Sequence, residues 1–215
     1  MSTTFTITPR DALIVVDIQN DFLPGGRLAV NDGNRIIPIV NQIMPLFNHV
    51  VLTQDWHPTN HVSFASNHPE KSPYDTIELD DGTQTLWPDH CVQGTQGADF
   101  PDTLKTDFAH LLIRKGYHPL IDSYSAFIEQ DGKTMTGLHG WLSALNIQRV
   151  FVCGLATDFC VFYSAMDAIK LGFTVVLIDN ASAGIDLDHS VAKAHKTMTE
   201  SGILITQSDN LKISA

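Results

Sequence analysis

Cysteine is scarce in this chain, with three in 215 residues at Cys91, Cys153 and Cys160. An odd number without paired spacing argues against a disulfide framework and for a reducing compartment. Positive charge is scarce as well: 13 Lys and Arg stand against 24 Asp and Glu, a net charge of −11. No basic patch is visible that could neutralise phosphates, so no nucleic-acid partner is expected and the acidity is read as solubility. Apolar runs fall well short of the ~20 residues that span a bilayer. Met1 to Pro9 is polar and threonine-rich, without the basic start and apolar block of a leader. The expectation is a cytoplasmic chain with no membrane partner. Repeats are missing too, and 43% hydrophobic with 17% charged residues argues against disorder. At this length one α/β domain covering 1–215 is the default.

What is present is a series of short apolar runs alternating with helical patterns. Ala12 to Ile18, ALIVVDI, reads as a buried strand, followed by strands at His49–Asp55, Leu111–Lys115, Val150–Leu155, Thr174–Asp179 and Ile203–Thr206. Helical periodicity covers Asn34–Asn48, with Pro38 tolerable in the first turn and Pro45 set to kink or shorten the end. Further helices are expected near Thr136–Leu145, over Thr157–Leu171 with Gly172 as stop, and over Asp188–Ser201 closed by Gly202. The pattern predicts a doubly wound, six-stranded, mostly parallel sheet flanked by helices. One stretch departs from it. Residues 56–107 have little periodicity, are rich in Pro, Gly, Asp and Trp, and hold His57, His61, His68 and His90. A connection of that length is usually a binding or active-site loop.

In such sheets ligands bind beyond the carboxyl ends of the strands. Asp17, Asp55, Lys115 and the turn from Leu155 to Cys160 all fall there, from four separate strands. The stretch VFVCGLATDFCVFYSA, from Val150 to Ala165, reads as strand, small-residue corner and helix start with Cys160 in the first turn. The unpaired N–H groups and the helix dipole there favour thiolate, and the same N–H groups can face an oxyanion. By itself a free cysteine is more often core than catalyst, and Cys153 and Cys91 are read that way. Asp17 could equally cap the loop after its strand, a task open also to Asp21. With Cys160, however, Asp17 can act as proton acceptor and Lys115 can steady the thiolate. A second set, Asp55, His57, His61 and His90, suits Zn, Mn, Fe or Co. Its spacing matches no diagnostic zinc signature, and loop histidines often bond only to backbone.

The stretches VVDIQNDFLPGG, TQDWHPTNHVSFASNHP, LWPDHCVQGTQGADF, RKG and GLATDFCV resemble the nicotinamidases of the isochorismatase-like cysteine hydrolases, over about Ala12 to Ile205. The resemblance implies an isochorismatase-like fold and hydrolysis of nicotinamide to nicotinate and ammonia through a cysteine thioester, a step of NAD salvage, with pyrazinamide as a further substrate. It implies catalytic roles for Asp17, Lys115 and Cys160, and an oxyanion hole from the Ala156 and Cys160 N–H groups beside a cis Leu155–Ala156 peptide. Asp55, His57 and His90 become ligands of one divalent ion, Zn, Fe or Mn, which takes the pyridine nitrogen. His61 is added because members of the family differ in which loop residue reaches the metal. Phe22, Trp87 and Tyr124 become walls around the ring. Two rivals remain: a carbamoyl amide or isochorismate hydrolase on the same triad, and a metal-bound sensor with an inert thiol. The oligomeric state is left open.

Overall fold

The computed structural model describes residues 4–79 and 82–213. Ten strands and four helices follow one another as β1 (Phe5–Ile7), β2 (Asp11–Val16), α1 (Ile37–Ile43), β3 (Val50–Asp55), β4 (Thr76–Leu79), β5 (Gly82–Thr85), β6 (Leu111–Lys115), α2 (Leu138–Ala144), β7 (Arg149–Leu155), α3 (Cys160–Lys170), β8 (Thr174–Ala183), α4 (Ser190–Glu200), β9 (Leu204–Thr206) and β10 (Leu211–Ile213). Six of the strands form one parallel sheet in the order β6-β3-β2-β7-β8-β9, as expected from the six apolar runs. β1 pairs with β10 in parallel, and β4 with β5 in antiparallel fashion.

The continuous apolar run of β2 has a direct cause: both faces of the strand are covered. Leu13 and Val15 join one core with α1 and residues of the long loop such as Trp87 and Cys91. Ala12, Ile14 and Val16 join the other with α2, α3 and α4. β7 alternates in the same way, Phe151, Cys153 and Leu155 on one face and Val150 and Val152 on the other. From β2 the chain winds outward through β3 to β6, and from β7 it winds the other way through β8 to β9. The winding direction therefore reverses between β2 and β7, where an open α/β sheet leaves its ligand crevice.

Several boundaries move from the sequence reading. The helix read over Asn34–Asn48 is an α-helix only from Ile37 to Ile43, flanked by 3₁₀ turns at Gly33–Ile36 and Met44–Leu46, the second containing Pro45. The third helix begins at Cys160, after Thr157, Asp158 and Phe159 are spent on the corner. β8 runs on past Asp179 to Ala183, with a register shift against β7 between Val152 and Gly154. Residues 56–107 contain the β4/β5 hairpin and 3₁₀ turns at Ala65–Asn67 and Gln96–Ala98. Among the described residues no helix is long and apolar enough to cross a membrane.

Candidate active site

β2 ends at Val16, and Asp17 turns the chain with a left-handed φ of 47°. Gly154 of β7 lies alongside. A Cβ there would overlap the backbone of Val16, 2.7 Å from its nitrogen, so glycine is what lets the two central strand ends approach. The Asp17 carboxylate is fully buried. Its Oδ1 accepts a hydrogen bond from Thr53 Oγ1 at 2.6 Å, while Oδ2 is ion-paired with Lys115 Nζ at 2.9 Å.

Lys115, at the end of β6, is opposite Asp55 in the ladder and is itself fully buried. Its ammonium is ion-paired with Asp55 Oδ1, donates to Ser123 O at 3.1 Å and lies 3.5 Å from Cys160 Sγ. Side-chain atoms of Asp17, Asp55 and Cys160 are all within 4.8 Å of one another. Two strand ends and a helix start thus converge on the ammonium at the end of a third strand.

The charges sort these groups. Burial disfavours ionising Asp55, but Lys115 and then His57 outweigh it and hold its carboxyl below the usual range. Burial dominates at Asp17 and pushes its pKa up against the pull of Lys115. Lys115 stays an ammonium because Asp17 and Asp55 together outweigh its own burial. Of the two carboxylates, Asp17 is the one whose proton affinity is raised, as a base requires. At Cys160 the pull of the helix start is opposed by the surroundings. Burial, and then the two carboxylates against Lys115, raise its pKa well above that of an ordinary thiol. That rise favours the thiol form over the thiolate.

Among the described residues, the N–H groups of Ala156, Asp158 and Cys160 donate no hydrogen bond, whereas those of Thr157, Phe159 and Val161 do. The peptide between Leu155 and Ala156 is cis. Of these three residues, Ala156 and Cys160 line a common cavity.

The metal-ligand candidates divide. His57 Nδ1 lies 2.8 Å from Gly116 O and His90 Nδ1 lies 2.8 Å from Pro88 O, which makes each Nδ1 the protonated nitrogen and leaves each Nε2 a lone pair. The two Nε2 atoms are 3.6 and 4.0 Å from Asp55 Oδ2. Two imidazoles with fixed tautomers and one carboxylate oxygen make a donor set that fits a divalent transition ion and leaves further positions open. Gly116, with φ of 61°, has no room for a side chain, since a Cβ would sit 2.7 Å from His57 Nδ1. His61 is placed differently. It packs on His57 with ring centroids 4.2 Å apart, but its Nδ1 is 2.7 Å from Ser63 Oγ and its Nε2 is 3.2 Å from Ile121 O. Burial, then His57, lowers the pKa of His61 to about 4. The same two causes lower His90 to about 4. His68 bonds backbone, Nε2 to Val62 O at 2.7 Å, the ordinary behaviour of a loop histidine.

Phe22, Trp87 and Tyr124 line one cavity with Cys160, Ala156, Asp55 and His90. Trp87 Nε1 donates to Tyr124 Oη at 2.9 Å, joining two walls. The sequence reading missed Phe159, which meets Trp87 edge-on at 5.2 Å, and Ile185, which closes another side. It also missed the supports. Thr53 and Gln19 are polar residues in or just after apolar strands, and that placement is the signal that could have found them. Asp21 caps its loop only in part. Its Oδ1 accepts from Arg27 N at 3.2 Å and its Oδ2 reaches Cys91 N at 2.7 Å, 70 residues away. Cys91 and Cys153 are buried in the core and lie outside the cavity.

The isochorismatase domain family matches residues 11–210 of the chain. A nicotinamidase of Acinetobacter baylyi is 51% identical over 202 residues, 94% of either chain. The solved structure of a nicotinamidase and pyrazinamidase from Acinetobacter baumanii superposes with a TM-score of 0.93 at 54% identity, covering 94% of this chain and 98% of that one. A pyrazinamidase of Pyrococcus horikoshii, solved in complex with zinc, has a TM-score of 0.75 at 37% identity and covers 93% of this chain and 99% of its own.

Proposed function

The chain belongs to the isochorismatase family, in its nicotinamidase branch, and we propose that it hydrolyses nicotinamide to nicotinate and ammonia through a thioester on Cys160. The reading is carried by one observation: Lys115 Nζ stands 2.9 Å from Asp17 and 3.5 Å from Cys160 beside a cavity walled by aromatic rings. Asp55, His57 and His90 would hold a divalent ion, Zn, Fe or Mn, and when bound that ion would supply an anchor for the ring nitrogen. The zinc in the Pyrococcus relative and the lone-pair geometry at His57 and His90 both support such a site.

Asp17, whose carboxylate lies within 4.8 Å of the sulfur, takes the proton from the Cys160 thiol. The sulfur adds to the carboxamide carbon, and the resulting oxyanion is met by the N–H groups of Ala156 and Cys160. The same Asp17 proton then goes to the departing nitrogen, which leaves as ammonia. Lys115 keeps its charge throughout and balances the carboxylates while the proton moves. Water gives a proton to Asp17, adds to the thioester and displaces the sulfur, which recovers that proton. Nicotinate leaves. Trp87 and Phe22 exclude bulk water and keep the ring flat between them. Pyrazinamide shares the ring nitrogen and carboxamide, so the same steps apply to it. The three free, buried cysteines fit a cytoplasmic setting, and the product re-enters NAD synthesis.

Ammonia release from nicotinamide tests the reading. Purified chain should release ammonia, chelation should suppress it and added divalent ion should restore it. Cys160→Ala should abolish release and leave no thioester to trap. Release by Cys160→Ala would sink the proposal.

A further inference from the structure

Gln19 takes no part in the chemistry above, yet it is fully buried with both ends of its amide in use. The reason lies in where β2 leaves β3. The two strands pair only as far as Val15 and Leu52, after which Asp17 turns away. β3 runs on through Thr53, Gln54 and Asp55 with a strand partner on one side only, β6. On the other side the N–H and C=O of Asp55 face the protein interior, where an unmatched backbone group is costly. The Gln19 side chain meets them. Its Oε1 accepts from Asp55 N at 2.8 Å, and its Nε2 donates to Asp55 O at 2.8 Å and to Ala98 O at 2.9 Å. A side-chain amide thus does for Asp55 what the peptide of a neighbouring strand would do.

We propose that Gln19 is a positioning residue that extends the β2–β3 ladder by one side chain and holds Asp55 with one oxygen toward Lys115 and the other toward His57 and His90. The inference rests on the reading of Asp55, His57 and His90 as cation ligands. Gln19 N also donates to Asp17 O at 2.9 Å, so the residue that fixes the cation carboxylate is tied to the backbone of the base. Without the amide, Asp55 keeps only its β6 partner and its carboxylate is free to follow Lys115. The cation site then loses its oxygen donor without losing a ligand residue.

Gln54 provides the control. Its Nε2 donates to the same Ala98 O at 2.8 Å and its Oε1 accepts from Arg114 Nε at 3.1 Å, but its side chain makes no bond to Asp55. The experiment is a Zn²⁺ titration against a chromophoric chelator on metal-stripped full-length chain, with thermal unfolding recorded for each variant. Gln19→Met keeps the volume and removes the amide; it should bind Zn²⁺ about 10- to 100-fold more weakly than wild type, the usual cost of losing a support behind a ligand. Gln19→Glu, which sets a carboxylate against two carbonyls, should bind more weakly still. Gln54→Met should lower the melting temperature yet keep affinity within about twofold. Should Gln19→Met fail to fold, Gln19→Asn keeps the amide one methylene short of its partners and carries the same expectation. Equal affinity in wild type and the Gln19 variant overturns the inference alone, as does an equal loss in Gln54→Met. If wild type takes up no Zn²⁺, or His57→Ala and His90→Ala bind as wild type does, the reading of the cation site falls and this inference with it.

Discussion

Two sides of the candidate site are built by different means. On one side Asp17, Lys115 and Cys160 stand at the ends of β2 and β6 and after β7, where ladder register places them: Val16 opposite Gly154, Asp55 opposite Lys115. On the other side His57, Trp87 and His90 belong to a long connection held by single cross-links, His57 N to Cys91 O at 3.0 Å, Gln93 N to His57 O at 2.9 Å and Trp87 N to Ser63 O at 2.7 Å. A ladder distributes position over many bonds, whereas a cross-linked loop concentrates it in a few. Substitutions on the strand side should therefore remove chemistry and leave the fold, and those on the loop side should change position and affinity by steps.

The largest effect expected is at Asp17, the proposed base. Asp17→Asn should cut kcat by about 10²- to 10⁴-fold while the melting temperature stays within a few degrees. Steady-state ammonia release beside calorimetry measures both, and a joint collapse would erase the distinction. Lys115→Met is the exception that sharpens it, since it leaves two buried carboxylates without their ammonium and should cost about 3–5 kcal/mol in denaturant unfolding. Its pH dependence has a definite sign. Asp55, held below the usual carboxylate range, stabilises the native chain above its unfolded pKa and loses that contribution on acidification. Without Lys115 that contribution is gone, so in metal-stripped chain the deficit should be greatest near neutrality and shrink toward acid pH. On the loop side Gly116→Ala must strain a left-handed backbone and displace the His57 ring, costing about 1–3 kcal/mol together with weaker Zn²⁺ uptake. Retained uptake would show that His57 does not depend on this seat. Smallest is Trp87→Phe, which deletes the donor to Tyr124; KM should rise a few-fold, about 1 kcal/mol, with kcat little changed.

The strand side was the more legible in sequence for the same reason. Runs such as ALIVV and VFVCGL declare strands buried on both faces, and a charged residue at the end of such a run marks itself. Asp17, Asp55 and Lys115 were found that way. β4 and β5 were not, because TIEL and GTQT are four residues each and neither holds a continuous apolar run. The Asn180 to Ala183 end of β8 is composed of small and polar residues and gives no apolar signal either. Motif order located His57 and His90. What motif order could not convey is which ring nitrogen remains free, since that depends on Gly116 O and Pro88 O. His61, four residues from His57, differs only in such partners. The rise in the Cys160 pKa was not legible in sequence because a helix start is local, while the burial and carboxylates that oppose it come from distant strands.

The central place of β2 governs the order in which the molecule can be assembled. Its pairing with β7 joins Asp11 to Arg149, 138 residues apart in sequence, so during synthesis one edge of the earliest long strand must wait uncovered for most of translation. Loop closure over that span is slow and entropically expensive. A nascent chain halted before residue 149 would already contain the acid and the amine yet have no wall of the crevice on the β7 side. It would expose a sticky apolar ribbon in its place, the state in which a chaperone would be expected to find it.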